Sequence, residues 1–178
     1  MQATHAQRKL VYYVAISVDH YIAHEDESID GFVIDGVSTT DYVNSLRDYD
    51  TVLMGRRTYE WGYQFGVQPG EPSPAYGHMM QYVFSQSMTE YQHEGLRVIR
   101  EDPEVFVHGL KAQTGGMIYL CGGGQLARSL LGAGLVDELI LKVNPVVFGR
   151  GIPVFGSYQD GFGLSLLGSR TYNNGVVF

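Results

Sequence analysis

Cysteine is nearly absent from the chain. Cys121 is the only one in 178 residues, which excludes an intrachain disulfide and with it the disulfide-stapled class of secreted domain. Long apolar runs are missing too: no stretch of about 18 apolar residues occurs, and the opening MQATHAQRKL lacks the apolar centre that a signal peptide needs. A cytoplasmic location without a membrane partner is therefore expected. Positive charge is the third shortage. The chain has 12 Lys and Arg against 19 Asp and Glu, a formal charge of −7, so no nucleic-acid partner is expected and any phosphate site has to be local. What the chain has in excess is glycine, 23 residues, well above the usual ~7%. With 44% apolar residues, the length supports one domain with a sizeable core. Residues 1–8 read as a polar tail and 9–178 as that single domain.

Along the chain, KLVYYVAIS (residues 9–17) is β-branched and aromatic and predicts an interior first strand, followed by a polar loop, VDHYIAHEDESIDGF. Ser38, Thr39 or Thr40 is the expected cap of a helix with Tyr42, Val43 and Leu46 at helical spacing. Residues 52–54, VLM, suit a strand buried on both faces; Gly55 breaks the run and a helix begins within RRTYEW. GYQFGVQPGEPSPAYGH, dense in Gly, Pro and Ser, predicts an irregular surface loop. QYVFSQS and GLRVIRED predict two more strands. Asp102-Pro103-Glu104 predicts a capped start for a helix running to Gly115-Gly116. MIYLC, QLARSLLGAG and DELILKV form a βαβ unit, and LSLLGSRTYNNGVVF predicts a terminal hairpin turning at Asn174-Gly175. The fold class that follows is an α/β sheet, mostly parallel with an antiparallel C-terminal hairpin and flanking helices.

Two strand-to-helix turns carry residue types that suit phosphates. Gly122-Gly123-Gly124, with Gln125 and Leu126 opening the next helix, can turn backbone N–H groups toward a pyrophosphate; the plain alternative is a tight turn. A dinucleotide-binding Rossmann unit does not fit, because its glycines follow the first strand and its acid ends the next one, whereas Asp137 and Glu138 precede theirs. A Walker A loop fails at Gly124-Gln125-Leu126. Arg56, Arg57 and Thr58 can take a phosphate monoester through guanidinium forks and a hydroxyl, or else stand solvated beside Glu60 or Asp48. Phe84-Ser85-Gln86 adds a hydroxyl and an apolar wall for an adenine. A monoester, a pyrophosphate and an adenine together are what NADPH presents, and NADH lacks the monoester.

VLMGRRTYE, YVFSQS, IYLCGGGQL and VDELILKVNPVVFGRGIPVF, in this order and spacing, resemble the dihydrofolate reductase superfamily. They resemble most the reductase domain of the bifunctional riboflavin-biosynthesis deaminase/reductase, the RibD C-terminal domain, and its stand-alone relatives. The resemblance covers nearly the whole chain. It implies a central mixed sheet with NADPH held across its carboxyl edge, and a homodimer. By position it implies that Gly55, Arg56, Arg57 and Thr58 receive the adenosine 2′-phosphate and that Phe84, Ser85 and Gln86 form the adenosine-side turn. Gly122, Gly123, Gly124, Gln125 and Leu126 match the pyrophosphate loop, and Ala15 and Ile22 flank the nicotinamide. The implied activity is hydride transfer to a C=N-type carbon of a small heterocyclic or sugar-amine substrate, as in the reduction of 5-amino-6-(5-phosphoribosylamino)uracil. The alternatives are a nucleotide-binding or assembly protein without chemistry, and a true dihydrofolate reductase.

The proton donor is less well marked. Asp30, in SIDGF, matches the acidic residue of the small relatives' motif, with Gly31 and Phe32 where a tryptophan is expected; Asp35 fits when loop lengths are counted from dihydrofolate reductase. Either acid, or a water, is the expected donor. His20 and His24 lie near Asp19, Glu25 and Asp26, but no further Cys or His group joins them and helical i, i+4 spacing does not hold after a strand, so no metal is expected. Cys121 reads as a buried packing thiol.

Overall fold

The protein is described by a computed structural model over residues 7–157 and 161–178. In chain order its strands are β1 (Leu10–Ile16), β2 (Tyr21–Ala23), β3 (Tyr49–Gly55), β4 (Met80–Phe84), β5 (Leu96–Ile99), β6 (Met117–Gly122), β7 (Glu138–Val143) and β8 (Ile152–Pro153). The helices are α1 (Gly36–Ser45), α2 (Arg56–Trp61), α3 (Pro103–Lys111) and α4 (Gly124–Gly132). Six strands form one sheet in the order β5-β4-β3-β6-β1-β7, and every pairing in it is parallel.

Alternation along the interior strands fills two cores at once, which is why these strands read as continuous apolar runs. Leu10, Tyr12, Val14 and Ile16 face α3 and α4, where Val107, Leu110, Leu126, Ala127 and Leu130 meet them. Val11 and Tyr13 turn to the other face, onto Tyr49, Val52, Met54, Tyr59 and Tyr119. The antiparallel edge is short. Val143 and Val177 exchange both backbone hydrogen bonds, and Tyr172 donates to Val176 across a turn in which Gly175 takes φ 83°. The last three residues thus close the sheet beside β7.

Several local expectations need correction. The polar loop after β1 contains β2, which pairs antiparallel with β8 from the segment that follows β7. Helix α1 begins at Gly36 behind Asp35, earlier than Ser38, Thr39 or Thr40 would place it. Ser38 is buried inside the helix, where its hydroxyl accepts from Asn174 Nδ2 at 3.0 Å, while Thr39 and Thr40 donate back to the Asp35 and Gly36 carbonyls. These hydroxyls are spent on tertiary and backbone bonds rather than on a cap. Helix α3 starts as expected, with Asp102 accepting from the Glu104 and Val105 amides, but it stops at Lys111, well before Gly115-Gly116. Those glycines serve a different neighbour: a Cβ on Gly115 would stand 2.7 Å from the Arg8 guanidinium carbon. Arg8 itself is buried rather than part of a polar tail, paired with Asp50 and donating to Thr51 Oγ1 and the Gly116 carbonyl.

At the same amino edge, Asp137 accepts from the Leu10 amide at 2.7 Å and from the buried Lys111 Nζ at 2.6 Å. Removing the carboxylate leaves a buried ammonium without its counter-charge. Asp137→Ala is expected to cost about 2 kcal/mol, read as a lowered urea midpoint with an unchanged slope.

Candidate functional site

Because all six strands run the same way, their carboxyl ends share one edge, and a cleft of about 1250 Å³ opens there. All the residues assigned above to the cofactor line it: Ala15, Ile22, Gly55, Arg56, Arg57, Thr58, Phe84, Ser85, Gln86, Gly122, Gly123, Gly124, Gln125 and Leu126. The two strand-to-helix turns meet because β3 and β6 are neighbours. A Cβ on Gly123 would lie 3.6 Å from both the Gly55 amide and Thr58 Oγ1.

The glycine turn is built to bring backbone close. Gly123 has φ 100°, and a Cβ on Gly124 would lie 2.9 Å from the Pro153 carbonyl oxygen. Gly123 caps α4 without any side-chain bond, whereas Asp102 caps α3. The first-turn amides of α4 therefore stay available at the cleft wall. On the facing turn the two arginines differ. Arg56 is engaged, with Nε on Glu60 at 2.7 Å and Nη1 on Ser87 at 2.9 Å. The Arg57 side chain is 83% exposed and, among the described residues, has a long 3.6 Å approach to Glu27. The third turn is braced by Arg100, which donates to the Gln86 and Met88 carbonyls, while Ser85 Oγ accepts from the Ser87 and Met88 amides. Phe84 rests edge-on against Phe106 and, with Ile99 and Pro103, supplies an apolar wall.

A latch holds the far rim. Asp19 accepts from the Phe148 and Gly149 amides at 3.0 and 2.7 Å, tying the β1–β2 turn to the segment that leads into β8 and the cleft residues Ile152, Pro153 and Gly156. Burial works to raise the Asp19 pKa. Hydrogen bonds from Ser17 and from the two amides outweigh it and bring the carboxyl to about 2.

Beyond Ala15 the cleft is lined by Tyr13, Tyr42, Tyr76, Tyr119, Cys121 and Lys142. Tyr42 and Tyr119 share a hydroxyl hydrogen bond of 2.8 Å, and the Tyr76 hydroxyl meets Cys121 Sγ at 3.2 Å. Burial pushes the Tyr13 pKa up to about 12 and raises Tyr42 and Tyr119 further, so all three stay protonated near neutrality. Cys121 packs against the core as the sequence suggests, half-buried rather than fully buried, and also faces the cleft. The two acids are elsewhere. Asp30 and Asp35 are both exposed, and neither lines the cleft. The Asp30 carbonyl accepts from His24, whose ring stacks on Phe148; the Asp35 carbonyl accepts from Thr39. A loop acid is hard to place from spacing alone, because the turn geometry decides where its side chain ends. Lys142 stands out in the sequence as a lone lysine within the strand DELILKV.

The chain matches the family described as the RibD C-terminal domain over residues 8–178. YwjB of Bacillus subtilis strain 168, an uncharacterized protein, is 35% identical over 171 residues, covering 96% of this chain and 95% of YwjB. Among solved structures, the diaminohydroxyphosphoribosylaminopyrimidine deaminase/5-amino-6-(5-phosphoribosylamino)uracil reductase of Thermotoga maritima superposes with a TM-score of 0.69 at 14% identity, covering 96% of this chain and 55% of that one. The dihydrofolate reductase of Enterococcus faecalis, complexed with NADP(H), gives 0.58 at 20% identity over 85% of this chain and 79% of its own. These likenesses establish a dihydrofolate reductase-like fold.

The Asp19 latch has a definite pH dependence. Its folded pKa lies below the ordinary 3.8, so the stability it contributes is complete above about 4 and is lost as pH falls toward 2. Asp19→Asn should lower the melting temperature at neutral pH, and the gap between the two proteins should close over that acid window.

Proposed function

Since the chain belongs to the RibD C-terminal domain family, we propose that it is an NADPH-dependent reductase acting on a small molecule with a C=N-type carbon, of the heterocyclic or sugar-amine class. The observation that carries this is the meeting of the exposed Arg57 turn with the uncapped start of α4 across one cleft. Arg57, with Arg56 and Thr58, suits a phosphate monoester. The amides of residues 122–126 suit a pyrophosphate, and the close approach of Gly124 to Pro153 leaves no room for a side chain there. Phe84, Ser85 and Gln86 form the adenosine wall, and Ala15 and Ile22 frame the place for a nicotinamide at the substrate end. When bound, NADPH supplies the hydride. The chain's own part is to hold the cofactor by its phosphates, to keep water off the apolar wall and to orient the acceptor against the tyrosine-lined floor. The substrate class is supported by the reductase activity in the name of the Thermotoga maritima protein, of which this chain spans about half.

Calorimetric titration of the natural protein should show NADPH bound more tightly than NADH. Arg57→Ala should weaken NADPH roughly tenfold and leave NADH nearly unchanged. A folded protein that binds neither cofactor would overturn the reductase reading.

The assembly we propose is a homodimer in which a second copy covers residues 163–169. This stretch has no helix or strand of its own, carries Leu164, Leu166 and Leu167 at 69%, 86% and 79% exposure, and leads directly into the antiparallel pairing of Arg170 with Phe178. An open apolar edge continuous with a sheet pairs readily with its own kind. Sedimentation velocity should give a dimer for the natural protein and a monomer for Leu166→Asp; a monomeric natural protein would refute it.

A further inference from the structure

Three basic side chains are buried among the described residues: Arg8, Lys111 and Lys142, at 7%, 5% and 7% exposure. Arg8 pairs with Asp50 and Lys111 with Asp137, both at the amino edge of the sheet, away from the cleft. Lys142 differs on both counts. It stands near the carboxyl end of β7, opposite Ala15 in register, and it lines the cleft. Among the described residues it has no carboxylate within ion-pair distance. Its Nζ donates to the Val33 carbonyl at 2.7 Å and to Thr39 Oγ1 at 3.3 Å, both neutral acceptors. An ammonium has three protons to place, so one remains for the cleft.

We propose that Lys142 is the proton donor of the reduction. The inference rests on the cofactor reading above. As the carbon of a C=N acceptor takes the hydride with its electron pair, the acceptor nitrogen takes a proton from Lys142 Nζ. The lysine is left as a neutral amine, which regains a proton from solvent, and the acceptor leaves as a saturated amine.

The surroundings favour this donor over its neighbours. The titratable and charged groups on the elements around it are Tyr13 on β1, Asp35 before α1, Asp41 and Tyr42 on α1, and Arg170 and Tyr172 in the segment that pairs with β7. Asp41 is engaged by Arg170 at 2.6 Å and by the Tyr172 hydroxyl at 2.8 Å, and Asp35 lies outside the cleft. Burial makes Tyr13 and Tyr42 weaker acids, whereas burial with no opposing charge lowers the pKa of Lys142 and makes it a better one.

The nicotinamide ring of NADP⁺ is a cation and that of NADPH is not, so an ammonium near Ala15 gives up its proton more readily with NADP⁺ bound. Calorimetry of each cofactor in buffers of different ionisation enthalpy, from neutral to mildly alkaline pH, reads this directly. NADP⁺ should release a fraction of a proton more than NADPH does. The difference should vanish in Lys142→Met, which keeps the side-chain volume, and in Lys142→Arg, which stays charged throughout. Lys142→Met should also shift the NADP⁺/NADPH affinity ratio toward NADP⁺ by roughly three- to tenfold. Equal release by both cofactors, or a difference that survives in both variants, overturns the proposal and leaves the cofactor site standing. Failure of the natural protein to bind either cofactor removes the reading itself, and the proposal with it.

Discussion

The register between β3 and β6 is the constraint on which the cleft depends. Val52 stands opposite Tyr119 and Leu53 opposite Leu120, but Met54 then pairs with Gly122, so Cys121 is passed over. That one-residue slip lets the β6 turn arrive level with the β3 turn, and Gly123 comes against Gly55 and Thr58 as a result. A bulge of this kind needs a residue whose backbone departs from the strand, and Gly122, at φ 151°, supplies it. Without the slip the two turns would sit one step out of line along the sheet edge.

Much of this was legible in the chain because parallel sheets write themselves as apolar runs. VLM, MIYLC and DELILKV are strands, and the glycines and arginines that end two of them lie on the cleft wall, since strand direction alone carries them there. The pieces that were not legible depend on distant partners. β2 and β8 are two or three residues each and exist through one another. The start of α1 depends on Ser38 being claimed by Asn174, 136 residues away, and the role of Gly115 depends on Arg8. Local propensity has no access to such partners.

The acids illustrate the same limit from the side of chemistry. Asp19, Asp30 and Asp35 are indistinguishable by composition, each a carboxylate in or beside a loop. Asp19 alone receives two backbone amides, and so becomes the latch of the rim; Asp30 and Asp35 contribute their carbonyls to the loop's own bonds. Spacing can nominate a loop acid, but only the turn determines whether its oxygens meet amides, solvent or a ligand.

The placing of buried cations then separates structure from function. A buried charge in a fold is tolerated when it is paired, and removing its partner is costly. Arg8 and Lys111 obey that rule at the amino edge, where each ties the chain to a carboxylate and the sheet needs closing. Lys142 is as deeply buried and breaks it, held among the described residues by a carbonyl and a hydroxyl on the wall of the cleft. A fold that needed only a cation to fasten the Val33 loop would gain by giving it a counter-charge, as it does twice elsewhere. An ammonium on a cleft wall with only neutral acceptors is therefore set apart from the two cations that close the sheet, and burial without an opposing charge favours its neutral form.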